Sequence, residues 1–260
     1  MFSDAEAYER FMGRWSAMLA PLLADFAGVR GGANVLDVGS GTGALAFAIA
    51  KAHPACRIIG IDPAEEYVGY ANSKSPHPDR IKFQTGDAQQ LSFSRHTFDA
   101  ALSLLVFNFI PDPAKALREV ARVTKPGGSV SAAVWDYGAG MRMLRVFWDA
   151  VVALDPDADK LDERHMPLCR SGELAALWKQ NGLDRVEDRP LEFTMRFASF
   201  RDYWEPFLLG QGPAGAYVRK LDNARRESLR AEVRRSLSLH GDDTSFSLTA
   251  RAWAVAGRVR

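Results

Sequence analysis

Residues 35–44 read Val-Leu-Asp-Val-Gly-Ser-Gly-Thr-Gly-Ala, and no other stretch of this 260-residue chain constrains its fold as tightly. Val35, Leu36 and Val38 form a short apolar run suited to a strand covered on both faces. Gly39, Gly41 and Gly43 then permit a sharp turn with positive φ and let a ligand approach the backbone closely. Segment 44–52 is rich in alanine and free of proline, which predicts a helix. A strand, a glycine turn and a helix N-terminus in that order make a nucleotide site at the carboxyl end of a parallel sheet.

The same alternation runs on through the first half of the chain. Strands are expected at 34–38, 57–61, 81–85, 98–104 and 129–135, with helices at 44–52, 64–72 and 113–123 between them. Asp112 is an N-cap with Pro113 at the first helical position, and Lys125-Pro126-Gly127-Gly128 stops that helix. Segment 4–26 is an amphipathic lead-in in which Pro21 predicts a late start or a kink. Segments 141–153 and 171–180 read as helices, the second capped at Ser171 with Glu173 in its first turn. A weak strand over 185–193 is broken by Pro190, a helical insertion covers 198–239, and 245–255 alternates like a final strand. The expectation is one α/β domain of Rossmann type: a helical lid over 1–30, a nucleotide-binding core over 31–137, and substrate-side helices, insertion and last strands over 138–260.

Acidic and basic residues nearly balance, for a formal charge of +1, which gives poor support to nucleic acid as the main partner. Cys56 and Cys169 stand far apart in unrelated contexts, and the histidines are scattered, so neither a disulfide framework nor a metal site is indicated. The N-terminus is acidic and lacks the apolar core of a signal peptide, and the longest apolar run is too short to cross a bilayer. A cytoplasmic protein without a membrane span is expected. Oligomeric state is not encoded in any feature of the chain.

The glycine turn also satisfies G-x-G-x-x-A, so by itself it leaves a dinucleotide site open. Asp62, at the end of the second strand, sits about 20 residues beyond the glycines, where an acid accepts hydrogen bonds from ribose hydroxyls. That acid is common to nicotinamide and adenosylmethionine enzymes. Asp37 lies inside the first strand, where a carboxylate can meet a ligand ammonium. Gly86-Asp87-Ala88 follows the third strand and supplies an acid to an adenine amino group. Arg122-Val-Thr-Lys-Pro-Gly-Gly128 leads into the fifth strand.

With these motifs in this order, the chain resembles class I S-adenosylmethionine-dependent methyltransferases, especially the ubiquinone/menaquinone-biosynthesis group and its small-molecule relatives. The resemblance is good over 30–136 and thin beyond. It implies a seven-stranded, mostly parallel sheet with helices on both faces and an antiparallel last strand, to which 245–255 corresponds. It further implies that Asp37, Gly39, Ser40 and Gly41 hold the methionine end of S-adenosylmethionine, and that Asp62 takes the ribose. Pro63 packs on adenine, Asp87 and Ala88 contact its edge and face, and Leu104 offers backbone to the ligand amino group. An N-terminal lid would place Tyr8, Met12 and Arg14 over the cofactor.

The acceptor is expected to be a small molecule methylated on carbon, oxygen or nitrogen. Trp135 and Tyr137, at the end of the fifth strand, and Tyr203 and Trp204, in an aromatic cluster of the insertion, are candidates to line its pocket. Asp136 is the first candidate base and His165 the second. Tyr70-x-x-x-Lys74 matches a dehydrogenase pair but falls on the helix after the second strand, away from the carboxyl edge. The arginines at 225, 226, 230, 234 and 235 are interleaved with Asp222, Glu227 and Glu232, as in a solvated, salt-bridged helix face. Rival readings are a nicotinamide oxidoreductase, a non-catalytic adenosylmethionine-binding protein and, more weakly, an RNA methyltransferase.

Overall fold

The computed structural model describes residues 4–239, 241 and 243–260. The chain opens with α1 (Ala5–Tyr8), a π-helical turn (Glu9–Gly13) and α2 (Arg14–Ala27). Then follow β1 (Asn34–Val38), α3 (Ala44–Ala52), β2 (Arg57–Asp62), α4 (Glu65–Lys74), β3 (Ile81–Thr85), β4 (Phe98–Leu104), α5 (Pro113–Val123) and β5 (Thr124–Trp135). The second half holds α6 (Arg142–Leu154), α7 (Glu173–Gln180), β6 (Asp184–Phe197), α8 (Phe200–Leu208), α9 (Gly212–Lys220), α10 (Asn223–Ser236) and β7 (Phe246–Arg258).

Together the strands form a seven-stranded sheet in the order β3-β2-β1-β4-β5-β7-β6. β1 pairs in parallel with β2 and β4, β2 with β3, and β4 with β5. β7 is antiparallel to both β5 and β6. Val35, Leu36, Asp37 and Val38 are all buried, so both faces of the central strand are covered. The chain winds outward to β2 and β3, then crosses β1 to reach β4. That reversal opens a crevice beyond the carboxyl ends of β1 and β4, where ligands of such sheets bind.

Several boundaries differ from the sequence expectation. Pro21 neither delays nor breaks its helix: it is exposed, and the carbonyl it leaves without a donor belongs to exposed Ala17. The irregularity lies upstream, in the π turn. Pro190 does not interrupt β6, which runs unbroken with Pro190 opposite Trp253. β6 is an edge strand, so a residue without an N–H is tolerated there. β5 begins at Thr124 and includes the Lys-Pro-Gly-Gly turn, with a register shift between Phe98 and Ala100 on its partner. The N-cap of α7 is Gly172, and Ser171 caps nothing.

Two expectations hold in detail. The Asp112 carboxylate accepts the Lys115 N–H at 2.8 Å and caps α5. On α10 and at its ends, Leu229 and Val233 are buried with Leu221 and Leu237 half-buried. Arg230 and Arg235 pair with Glu227 and Glu232, and Asp222 pairs with Arg225 while Arg226 donates to the Leu221 carbonyl. No helix among the described residues is long and apolar enough to cross a membrane.

Candidate active site

The turn after β1 is fastened to the end of β2. The N–H groups of Gly39 and Ser40 both donate to the Ile61 carbonyl at 2.8 Å, and the Gly41 N–H donates to Asp62 Oδ2 at 2.9 Å. Gly39 has φ +71, and a Cβ there would meet Val106 Cγ2 at 2.5 Å, so glycine is required on both counts. At Gly41, with φ +51, nothing lies within 4 Å of the Cβ position and the backbone faces open space.

A cavity of about 250 Å³ opens on this turn. Asp37, Gly39, Ser40, Gly41, Asp62 and Pro63 line one end of it. Asp37 is fully buried; its Oδ2 accepts the Ala46 N–H at 3.1 Å, while Oδ1 has no partner. Burial, partly offset by that hydrogen bond and reinforced by the charge of Asp62, pushes its carboxyl up to about 7. A buried carboxylate with a free oxygen is strongly destabilised until a cation or donor reaches it. Asp62 is also raised, chiefly by burial against the hydrogen bonds from Ala64 and Gly41. Each of its oxygens accepts one backbone N–H, which leaves lone pairs for a hydroxyl pair.

The remaining walls come from distant parts of the chain. Tyr8, Phe11, Met12 and Ser16 from the N-terminal helix cover one side. The π turn puts them there, and the Tyr8 hydroxyl lies 3.0 Å from Ser16 Oγ, which donates to the Met12 carbonyl. Leu104, Leu105 and Val106 follow β4, and Trp135 and Tyr137 follow β5. Leu105 has φ +65, a strained conformation for leucine, held by its N–H bonded to the Ala133 carbonyl at 2.7 Å. Glu163 and Gly212 also line it.

Seven expected site residues do not line this cavity. Asp87 and Ala88 stand at the carboxyl end of β3, where Asp87 accepts from the Gln89 backbone at 2.8 Å. Arg14 turns away to donate to Asp202 Oδ1 at 2.7 Å, with its guanidinium 4.2 Å from the Trp15 ring centre. It fastens the N-terminal helix to α8 and does not cover the glycine turn. Asp136 accepts the Ala139 N–H at 3.1 Å and faces Arg251 at 3.5 Å, so it shapes the loop after β5. His165 is exposed beside Asp159. Tyr203 is fully buried and donates to the Met143 carbonyl at 2.7 Å, and Trp204 packs among Phe200 and Phe207. Those two rings build the core of the insertion because their hydrophobic area is better buried there than at a wet cavity.

Glu163, two residues before His165, lines the cavity where His165 does not. It is buried, and Trp148 Nε1 donates to its Oε2 at 2.8 Å. Burial pushes its carboxyl up to about 7, against the hydrogen bond from Trp148. Within Asp-Glu-Arg-His nothing local marks it as different from a solvated acid.

Residues 36–132 match the family model described as a methyltransferase domain. That stretch, under half of the chain, is similar to a methyltransferase domain. The demethylmenaquinone methyltransferase of Staphylococcus aureus is 38% identical to it over 104 residues, which make up 40% of this chain. The match spans 43% of that curated relative's length. Likeness in fold extends beyond the matched stretch. The YcgJ protein from Bacillus subtilis superposes with a TM-score of 0.61 at 22% identity, covering 94% of this chain and 98% of that one. Phosphoethanolamine N-methyltransferase 2 of Haemonchus contortus, in complex with phosphomonomethylethanolamine and S-adenosylhomocysteine, gives a TM-score of 0.60 at 18% identity. That likeness covers 98% of this chain and 56% of the other. The residues around the methyltransferase turn fit the cofactor: the unpartnered Asp37 Oδ1 suits an ammonium, and the open face at Gly41 admits a ligand against the backbone.

Proposed function

We propose that this chain transfers the methyl group of S-adenosylmethionine to a small-molecule acceptor held in the cavity beyond β4 and β5. The observation that carries the reading is the buried, unpartnered oxygen of Asp37 beside the glycine turn, with Asp62 across from it. A dinucleotide site would offer its pyrophosphate backbone N–H groups, and a buried carboxylate at that edge repels it. Asp37 pairs with the ligand ammonium, Ser40 and Gly41 follow the methionine chain, and Asp62 accepts from the ribose hydroxyls. Pro63 supports adenine, with Asp87 and Ala88 at its far edge. Tyr8 and Met12 close over the cofactor, and the Leu104 carbonyl is the backbone acceptor.

When bound, S-adenosylmethionine supplies an electrophilic methyl group on a positively charged sulfur. The protein's task is alignment and exclusion of water. Trp135, Tyr137, Phe11 and Val106 give the acceptor a largely apolar wall. The N-terminal helix, the core and the last third of the chain act as one unit here, since Tyr8, Asp37, Glu163 and Gly212 share one cavity. Titration calorimetry with S-adenosylhomocysteine tests the reading: binding is expected, with a raised Tm, while NAD leaves the Tm unchanged. Stabilisation by NAD and none by S-adenosylhomocysteine would overturn it.

A further inference from the structure

Three acidic side chains line the cavity. Asp37 lies in β1 before the glycine turn, Asp62 ends β2 beside it, and Glu163 comes from the short helical turn after α6. No lysine, arginine or histidine lines it among the described residues, so nothing there neutralises a phosphate or carboxylate.

The placement of Glu163 is built by its neighbours. Asp162, fully buried at its side chain, accepts from Arg145 Nη1 at 3.0 Å, from the Arg164 N–H at 2.8 Å and from Arg164 Nε at 2.7 Å. Arg145 Nη1 also donates to the Tyr137 carbonyl at 2.9 Å. One buried guanidinium thus ties the turn bearing Glu163 to the segment bearing Tyr137. Trp148 fixes Oε2 of Glu163, and Oε1 makes no hydrogen bond among the described residues.

We propose that Glu163 accepts the proton of the methyl acceptor, and that this acceptor is an uncharged, mainly apolar compound of phenol type, methylated on its hydroxyl oxygen. The inference rests on the methyl-transfer reading. In the step, the O–H proton moves to a Glu163 carboxylate oxygen while an oxygen electron pair forms the bond to the methyl carbon. The pair from the broken carbon–sulfur bond stays on sulfur and cancels its charge. An amine attacks through a lone pair it already has; a hydroxyl must be relieved of its proton during attack, which a carboxyl titrating near neutrality does well. Burial holds Glu163 at about 7, with Asp162 raising it and Arg145 and the Trp148 hydrogen bond lowering it. Tyr137 and Cys169 face it as neutral groups, each held above its ordinary range by burial and further by the charge of Glu163.

The test uses the full chain saturated with S-adenosylhomocysteine and two probes of matched size, 2-naphthol and 2-naphthoate. Expected are binding of 2-naphthol at least tenfold tighter than 2-naphthoate, and a carboxyl infrared band that fades as pH rises through about 7. Glu163→Gln should remove that band and weaken 2-naphthol at least fivefold at pH 8, while S-adenosylhomocysteine affinity stays within twofold. Equal affinity for the two probes, no binding of 2-naphthol, or 2-naphthol affinity unchanged in Glu163→Gln overturns the inference. The probe comparison on the wild-type chain decides even where the variant fails to fold. Absence of S-adenosylhomocysteine binding to the wild-type chain instead overturns the methyl-transfer reading.

Discussion

Arg145 and Asp162 form a buried ion pair, with Nη1 3.0 Å from Oδ1, and both side chains are almost wholly removed from water. Burial opposes the arginine's charge, yet Asp162 holds its pKa above the ordinary value. Burial likewise opposes the carboxylate, and hydrogen bonds from Arg145 and Arg164 hold Asp162 below its own. Removing one partner of a buried pair costs about 3–5 kcal/mol. Arg164 stays with Asp162 when Arg145 is lost, which sets the cost at the lower end of that range. Arg145→Ala is therefore expected to lower the unfolding free energy by roughly that much, measured by urea denaturation. A loss below about 1 kcal/mol, the surface-pair range, would show that the pair is not structural.

Asp37 predicts a pH dependence of ligand binding. Its carboxyl sits at about 7 in the ligand-free protein and must be ionised to meet an ammonium. Affinity for S-adenosylhomocysteine should rise with pH up to about 7 and level off above it, with a proton released on binding below that point. Calorimetry in buffers of different ionisation enthalpy reads the proton directly. In Asp37→Asn the affinity should be weaker and flat over the same range.

The same carboxyl affects stability with the opposite sign. The folded state holds this proton more tightly than an unfolded chain, whose value is near 3.8. The resulting stability is fully present below about pH 4 and is lost as pH climbs through about 7. Without ligand, Asp37→Asn should gain on the wild type between pH 5 and pH 8, followed by thermal unfolding.

Asp62→Ala should weaken S-adenosylhomocysteine binding by about 1–3 kcal/mol, the cost of unmade charged hydrogen bonds. It also strips acceptors from the Gly41 and Ala64 N–H groups, so Tm should fall as well. Unchanged affinity in the calorimeter would remove Asp62 from the ribose role.

Tyr203→Phe separates core from pocket. The hydroxyl donates to the Met143 carbonyl at 2.7 Å inside the core, so its loss should destabilise by about 1 kcal/mol. Cofactor and probe affinities should not move. A selective loss of acceptor binding at unchanged stability would return Tyr203 to the substrate wall.

The nucleotide half of the site was legible because its signals are local. The glycines, Asp37 and Asp62 lie on one β-turn-helix unit and the strand beside it, and strand order carries them to one crevice. On the other walls of the cavity Trp135 and Tyr137 were legible at the end of the fifth strand, and Glu163 was not. Glu163 is set apart by its burial and the Trp148 hydrogen bond, and Asp162 beside it by Arg145, both contacts coming from α6. Aromatic density at 200–207 suits a pocket wall as well as a core, and burial, ring packing and the Met143 contact place Tyr203 and Trp204 in the core. The positive φ of Leu105 left no trace in a Leu-Leu-Val run that lacks glycine.

Phe197 and Phe246 face each other across the β6–β7 ladder, their rings stacked 5.0 Å apart. All three helices α8 to α10 leave the sheet at the first residue and rejoin it at the second. Departure and return share one rung, so the excursion imposes no register on either strand, whatever its length. The excursion hangs from a hairpin, yet it is tied to the rest of the site, since Arg14 joins the N-terminal helix to α8 and Phe11 packs on Phe207. Gly212 of α9 also lines the cavity, so a change in this excursion reaches the site both directly and through the N-terminal cover.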